Sequence, residues 1–214
     1  MLMSKPKLTA EKITRICFVR HGETNWNIEQ RLQGQMDLAL NATGEAQAVA
    51  VGRRFVGSTA TALYSSDLLR ARQTAQPISE ALHLPIILLQ ALRERHFGRC
   101  EGMTLEEIFH QYDDDARAIQ CHDPDYASPG GGESRRQHQV RVLDCIEHMV
   151  REHEGQTIVV VTHGGALDVI YRRACQLLLE APRDYPIPNA GINWIGIDGD
   201  QWSIESWGDD AHLG

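Results

Sequence analysis

Apolar positions along the chain fall into short continuous runs, each followed by a longer stretch with helical spacing. Ile16-Cys17-Phe18-Val19 is such a run and ends at Arg20-His21-Gly22, which predicts a buried strand followed by a loop. Asn41-Ala42-Thr43-Gly44-Glu45 carries helix-start chemistry, with a helix continuing from Ala46 to Phe55. Ala62-Leu63-Tyr64 reads as a second strand, stopped by Ser65-Ser66-Asp67. Leu68 to Leu82 reads as a helix that Pro77 should kink or interrupt, and Ile86 to Leu89 as a third strand. Thr104-x-x-Glu107 is a capping-box pattern and opens a further helix. Ser134 can cap a long helix running to about His153. Thr157 to Thr162 is apolar enough for a central parallel strand, and a helix is expected from His163-Gly164-Gly165 to about Leu179. Strands near 192–197 and 201–206, with Asp198-Gly199 as the hairpin turn, close the chain. Residues 113–133, rich in acids and holding Gly130-Gly131-Gly132, read as an irregular insertion, and residues 1–13 as a loose tail. Strands alternating with helices predict an α/β sandwich with a mostly parallel sheet, in one domain over 14–214.

Composition narrows the function classes. The 214 residues, 42% hydrophobic and 23% charged, are those of an ordinary globular chain. Lys and Arg number 21 against 29 Asp and Glu, a formal net charge of −8. Neither a nucleic-acid partner nor a membrane partner is expected of that balance, and an anionic substrate must meet a local cluster of cations. The apolar runs stop short of the roughly 18 residues that a membrane span needs. Five widely spaced cysteines without a C-x-x-C pair predict free thiols and a cytoplasmic home, with Cys17 as a small core residue.

The candidate chemistry lies at two strand ends. His21 and His163 each follow an apolar strand and precede glycine. Ligands of open α/β sheets bind beyond the carboxyl ends of strands, so both imidazoles are expected in one crevice. The ten histidines include no H-E-x-x-H pair, and Cys121-His122-Asp123 lacks a partner pair, so neither metal nor organic cofactor is expected.

Arg20-His21-Gly22-Glu23-Thr24, with Asn27 beyond it, resembles the signature of the histidine phosphatase superfamily, the phosphoglycerate mutase-like fold. Further segments resemble the family in its order: Gln33-Gly34, Ser66-Asp67-Leu68-Leu69-Arg70-Ala71, Leu92 to Gly98 with Glu101-Gly102, Gly132-Glu133-Ser134, and Val161-Thr162-His163-Gly164. The resemblance implies a three-layer α/β/α sandwich and a metal-independent phosphomonoesterase. In it His21 is the nucleophile that becomes a phosphohistidine, with the Gly22 carbonyl fixing its tautomer, and Glu94 is the proton donor. Arg20 and Arg70 fork onto the phosphate, His163 adds a donor when protonated, and Asn27, Gln33, Gly34 and Gly164 line the substrate. Arg72 and Glu101 are the rivals of Arg70 and Glu94. The expected partner is a small phosphorylated metabolite, and the reading is compatible with a homodimer. A cofactor-dependent phosphoglycerate mutase and a non-catalytic phosphate-binding member are the alternatives. Arg95-His96 points toward the mutases, whereas Glu101-Gly102 and an acidic insertion with few cations point toward the phosphatases.

Overall fold

In the computed structural model, which describes residues 13–214, one six-stranded sheet runs in the order β3-β2-β4-β1-β5-β6. Its strands are β1 (Thr14–Arg20), β2 (Ala62–Ser65), β3 (Ile86–Leu88), β4 (Thr157–Thr162), β5 (Ile192–Asp198) and β6 (Gln201–Asp209). The first four are mutually parallel, and β5 and β6 are antiparallel additions at one side. Central strands β1 and β4 are buried on both faces, which is why their sequences are continuous rather than alternating.

Successive residues point to opposite faces of a strand, so β1 supplies two cores at once. Ile16 and Phe18 pack with Ile146, Leu167 and Ile170 of helices α6 (Arg135–Glu152) and α7 (Gly164–Cys175). Cys17 and Val19 pack with Val51, Ala75 and Ile78 of α2 (Ala42–Arg53) and α3 (Leu69–Leu82) on the other face, the single-turn α1 (Asn25–Ile28) lying before them in the chain. Helices therefore cover both sides of the sheet, the expected three-layer sandwich. Cys17 is a core residue whose thiol burial pushes far up, and the described cysteines are all free.

Several local expectations are corrected. Helix α3 runs unbroken through Pro77, whose ring lies against Gly52, where a Cβ would come within 2.7 Å of Pro77 Cβ. The insertion is not irregular throughout: Asp113–Gln120 forms helix α5, after α4 (Leu105–Gln111). Its three aspartates fill the first turn, where the helix dipole favours negative charge. Helix α7 ends at Cys175 rather than near Leu179, because Gln176 turns left-handed (φ 56°). In the final hairpin Asp198 pairs with Gln201, so the turn is Gly199-Asp200, one residue later than the pattern implied. The rest of the expected tail, residues 1–12, lies outside the described residues.

Candidate active site

Strands β1 and β4 are parallel neighbours, with Arg20 paired to Thr162. The next residues, His21 and His163, therefore leave the sheet side by side, with ring centroids 5.2 Å apart, close to one strand spacing. His21 Nδ1 lies 2.7 Å from the Gly22 carbonyl, which can only accept. Nδ1 thus carries the hydrogen and Nε2 keeps its lone pair. Burial first, then Arg70 and Arg20, holds the His21 pKa well below the ordinary 6.5, against the pull of the Gly22 carbonyl. The result is a neutral imidazole with Nε2 unprotonated. Gly22 seats this loop on α2, and a Cβ there would lie 2.6 Å from the Gly44 carbonyl.

His163 has the opposite tautomer. Arg70 Nε donates to its Nδ1 at 3.2 Å, and its Nε2–H is left to donate to Ser66 Oγ at 2.8 Å. Burial, followed by the charge on Arg70, holds it neutral as well. The condition set for His163 as a phosphate donor, a protonated ring, is disfavoured by this surrounding. Here it ties Arg70 to the end of β2, with both ring nitrogens engaged.

Arg70 is fully buried and Arg72 exposed, which decides between them. Arg70 also donates from Nη1 to the Met36 carbonyl (2.8 Å) and from Nη2 to the Gly34 carbonyl (2.7 Å), so the loop at 34–36 holds its fork in place. Gly34 has φ +50° and lies against Glu101, whose Cγ would be 2.9 Å from a Cβ there. Gln33 is buried beside it, its Oε1 without a partner. Arg20 donates Nη1–H to the Ile187 carbonyl, but its buried Nε–H has no partner. A buried orphan donor is costly unless an anion completes it. Burial lowers both guanidinium pKa values to about 10, so both stay charged at neutral pH. Asn27 Oδ1 accepts from the Thr24 amide and hydroxyl and from Asn189, which leaves its Nδ2 to donate. Gly164 begins α7, and a Cβ there would lie 3.5 Å from Arg20 Nε.

Glu94 closes the other side. Its Oε1 accepts from the Arg95 amide (2.7 Å) and its Oε2 from the Gly165 amide (2.8 Å), which fixes the carboxyl at the positive end of α7. Gly165 makes this approach feasible: a Cβ there would lie 3.0 Å from Glu94 Cδ and closer still to Oε1. Glu101 instead accepts from the Gln35 and Phe97 amides and braces the loop. Arg95 and His96 part company, since His96 Nδ1 accepts from the Gly98 amide while Arg95 lines the neighbouring cavity.

That cavity, about 620 Å³, borders Glu94 and Gly165 and is walled by the insertion through Ala118, Ile119 and Tyr126. Its cations come from Arg95, Arg135, Arg172 and Arg183, all outside the acidic insertion that seemed to leave the site poor in positive charge. Sequence reasoning missed three contributors. His138 lines the cavity from α6 with Nε2 unpartnered, and burial lowers its pKa to about 4. Asn189 Nδ2 donates to the His21 carbonyl (3.0 Å), and Thr74 Oγ1 accepts from the Gly22 amide (3.0 Å). Only the helical position of His138, four residues after its cap, was a usable signal.

Residues 16–210 match the model of the histidine phosphatase superfamily, branch 1. The chain belongs to that superfamily. It is 38% identical over 204 residues to a metal-independent phosphoserine phosphatase of Arabidopsis thaliana, covering 94% of this chain and 84% of the relative. It is 36% identical over 216 residues to phosphoglycerate mutase-like protein 4 of the same plant, covering 99% and 93%. Among solved structures, the phosphoserine phosphatase of Entamoeba histolytica in complex with 3-phosphoglyceric acid superposes with a TM-score of 0.83 at 25% identity, covering 94% of this chain and all of the other. The chain is a hydrolase of this superfamily, a phosphomonoesterase for small phosphate esters. Among its described residues, no helix is long and apolar enough to cross a membrane.

Proposed function

We propose that hydrolysis proceeds through a phosphohistidine on His21. In the first step His21 Nε2 attacks phosphorus, the bond from phosphorus to the ester oxygen breaks, and Glu94 gives that oxygen its proton. In the second, a water oxygen attacks phosphorus, the nitrogen–phosphorus bond breaks, and the water proton passes to Glu94. A phosphoryl group over His21 would meet Arg20, Arg70 and Asn27, and it would complete the orphan Arg20 Nε–H. Positioning and charge stabilisation are most of what phosphoryl transfer requires. Glu94 faces the cavity, so the organic part of the ester lies there and its leaving oxygen meets the carboxyl.

The observation that carries this reading is the hydrogen bond from His21 Nδ1 to the Gly22 carbonyl, which leaves Nε2 as a lone-pair donor. Labelled substrate should leave an acid-labile, base-stable phosphoryl adduct on the wild type and none on His21→Ala. An adduct that persists in His21→Ala would remove His21 from the role of nucleophile.

A further inference from the structure

Residues 186–191, between α7 and β5, meet the last residue of β1 and the histidine that follows it. Arg20 donates its amide to the Gly191 carbonyl (3.2 Å) and Nη1–H to the Ile187 carbonyl, and the Ala190 amide donates to the His21 carbonyl (3.2 Å). Asn189 Nδ2 reaches three acceptors: the His21 carbonyl (3.0 Å), the Gly22 carbonyl (3.3 Å) and Asn27 Oδ1 (3.3 Å). All three are oxygens that only accept, which fixes the orientation of the Asn189 amide. The Gly22 carbonyl is also the group that takes the hydrogen of His21 Nδ1. Asn189 therefore holds the acceptor that decides which ring nitrogen of His21 is bare.

The stretch itself is in neither helix nor strand, yet its conformation is demanding. Ala190 is fully buried with φ 57°, a left-handed backbone that a side chain disfavours and that persists only where the surroundings over-determine it. The restraints come from β5, β6 and the residues after them. Trp207 Nε1 donates to the Pro186 carbonyl (2.9 Å), and Asn193, whose Oδ1 accepts from the Gly208 amide (2.8 Å), donates to the Gly191 carbonyl (3.3 Å). On Ala190 the restraint is His212, in the 3-10 turn Ala211–Leu213, whose Nε2 lies 3.1 Å from the Ala190 carbonyl. That carbonyl can only accept, so Nε2 carries the hydrogen. His212 Nδ1 is buried and meets no partner. An orphaned ring nitrogen is costly, and among the described residues the bond to Ala190 is the one hydrogen bond that this imidazole makes.

We propose that His212 is a positioning residue for His21: through Ala190 and Asn189 it keeps the Gly22 carbonyl turned toward His21 Nδ1. This rests on the nucleophilic role of His21 argued above, because a bare Nε2 matters only to a nucleophile. Without the bond, Ala190 relaxes from its left-handed conformation and Asn189 leaves the two carbonyls. The hydrogen of His21 is then free to move to Nε2, where it blocks attack.

His212→Ala removes the donor, and His212→Gln puts an amide N–H back at similar reach. Each variant is followed by thermal melting, by kcat/KM on p-nitrophenyl phosphate and by the inhibition constant of inorganic phosphate. Nitrogen NMR spectra of protein carrying isotope-labelled histidine report the tautomer, the His21 signals being those missing from His21→Ala. His212→Ala should lower kcat/KM by about 3–10-fold, the worth of one ordinary hydrogen bond, and raise the share of His21 with its hydrogen on Nε2. Inhibition by inorganic phosphate, which needs the guanidiniums and not the tautomer, should change by less than about twofold. His212→Gln should return both rate and spectrum toward wild type. A residue that served only the stability of the turn would lower the melting temperature and leave the His21 spectrum as it was, and that outcome overturns the proposal. So does a loss in rate matched by an equal loss in phosphate inhibition. If His212→Ala does not fold, Asn189→Ala carries the same test, because an unchanged His21 tautomer there breaks the link from His212 to the ring. Absence of a phosphoenzyme on the wild type, together with a tautomer shift in His212→Ala, would instead overturn the phosphohistidine reading and leave the positioning role standing.

Discussion

Gly165→Ala separates the seat of Glu94, the proposed proton donor, from the stability of the fold. Gly165 is the second residue of α7, in ordinary helical conformation, and alanine is the better helix former by up to about 1 kcal/mol. For a chain of this size that corresponds to a Tm shift of at most roughly 2–4 °C. The new methyl carbon would stand 3.0 Å from Glu94 Cδ and nearer to Oε1, where ordinary contact begins at 3.4 Å. The carboxyl is the free end of a flexible side chain, so it yields in place of the helix, by about 1 Å. In doing so it gives up the Gly165 amide at 2.8 Å. A displacement of about 1 Å in a catalytic group can cost about 10²-fold in rate. An alkyl phosphate, whose alkoxide needs a proton to leave, should therefore lose about 10²-fold in kcat/KM. p-Nitrophenyl phosphate, whose leaving group departs with little protonation, should lose far less. Thermal melting and paired initial rates on the two esters read both effects. An alanine variant that keeps its full rate on the alkyl ester would refute the claim that this close approach seats Glu94. Equal losses on both esters would show that Glu94 acts on the phosphoryl group, not on the leaving oxygen.

Two further outcomes follow from the buried imidazoles. His138 is 3% exposed with its pKa lowered from 6.5 to about 4, so the unfolded chain takes up its proton first as pH falls. Its contribution is present above pH 6.5 and is lost progressively down to about pH 4, roughly 3 kcal/mol in all. Denaturant midpoints between those pH values should fall on acidification, and less steeply in His138→Gln; an unchanged slope would refute the assignment. Ser66→Ala removes the acceptor for His163 Nε2–H and leaves a buried donor unpaired, at about 1–3 kcal/mol. Stability should drop by that amount, and kcat/KM should drop too as Arg70 loses its anchor; full activity in the variant would mean that His163 does not hold Arg70.

Much of the candidate site was legible because it depends on short-range order. An apolar strand followed by histidine and glycine identifies both a buried strand and the place where its next side chain emerges, as at His21 and His163. Arg70 and Arg72 differ by two helical positions, so only one of them faces the sheet, and that much follows from periodicity. The cavity was less legible. Arg95, Arg135 and Arg183 are scattered along the chain and meet only through the packing of loops on α6 and α7, and the acidity of the insertion masked them. Asn189 sits in an irregular stretch where no period marks its direction. Helix α5 was hidden by its composition, because three aspartates read as loop until they are placed at a helix start. Pro77 did not break α3, and its ring packs against α2 where Gly52 carries no side chain.

The phosphoryl end and the organic end of the site are built from different material. His21, His163 and Arg70 hang from the sheet and the start of α3, held by hydrogen bonds among themselves and to backbone carbonyls. Much of the cavity's wall comes from the 113–133 segment and from Leu179, Ala181, Pro182 and Arg183 after α7, and the side-chain hydrogen bonds of His21 and His163 go to none of these residues. Substitutions in that part of the wall can thus exchange one alcohol for another while His21, His163 and Arg70 stay as they are. A chain organised this way can drift in what it consumes without ever passing through an inactive intermediate.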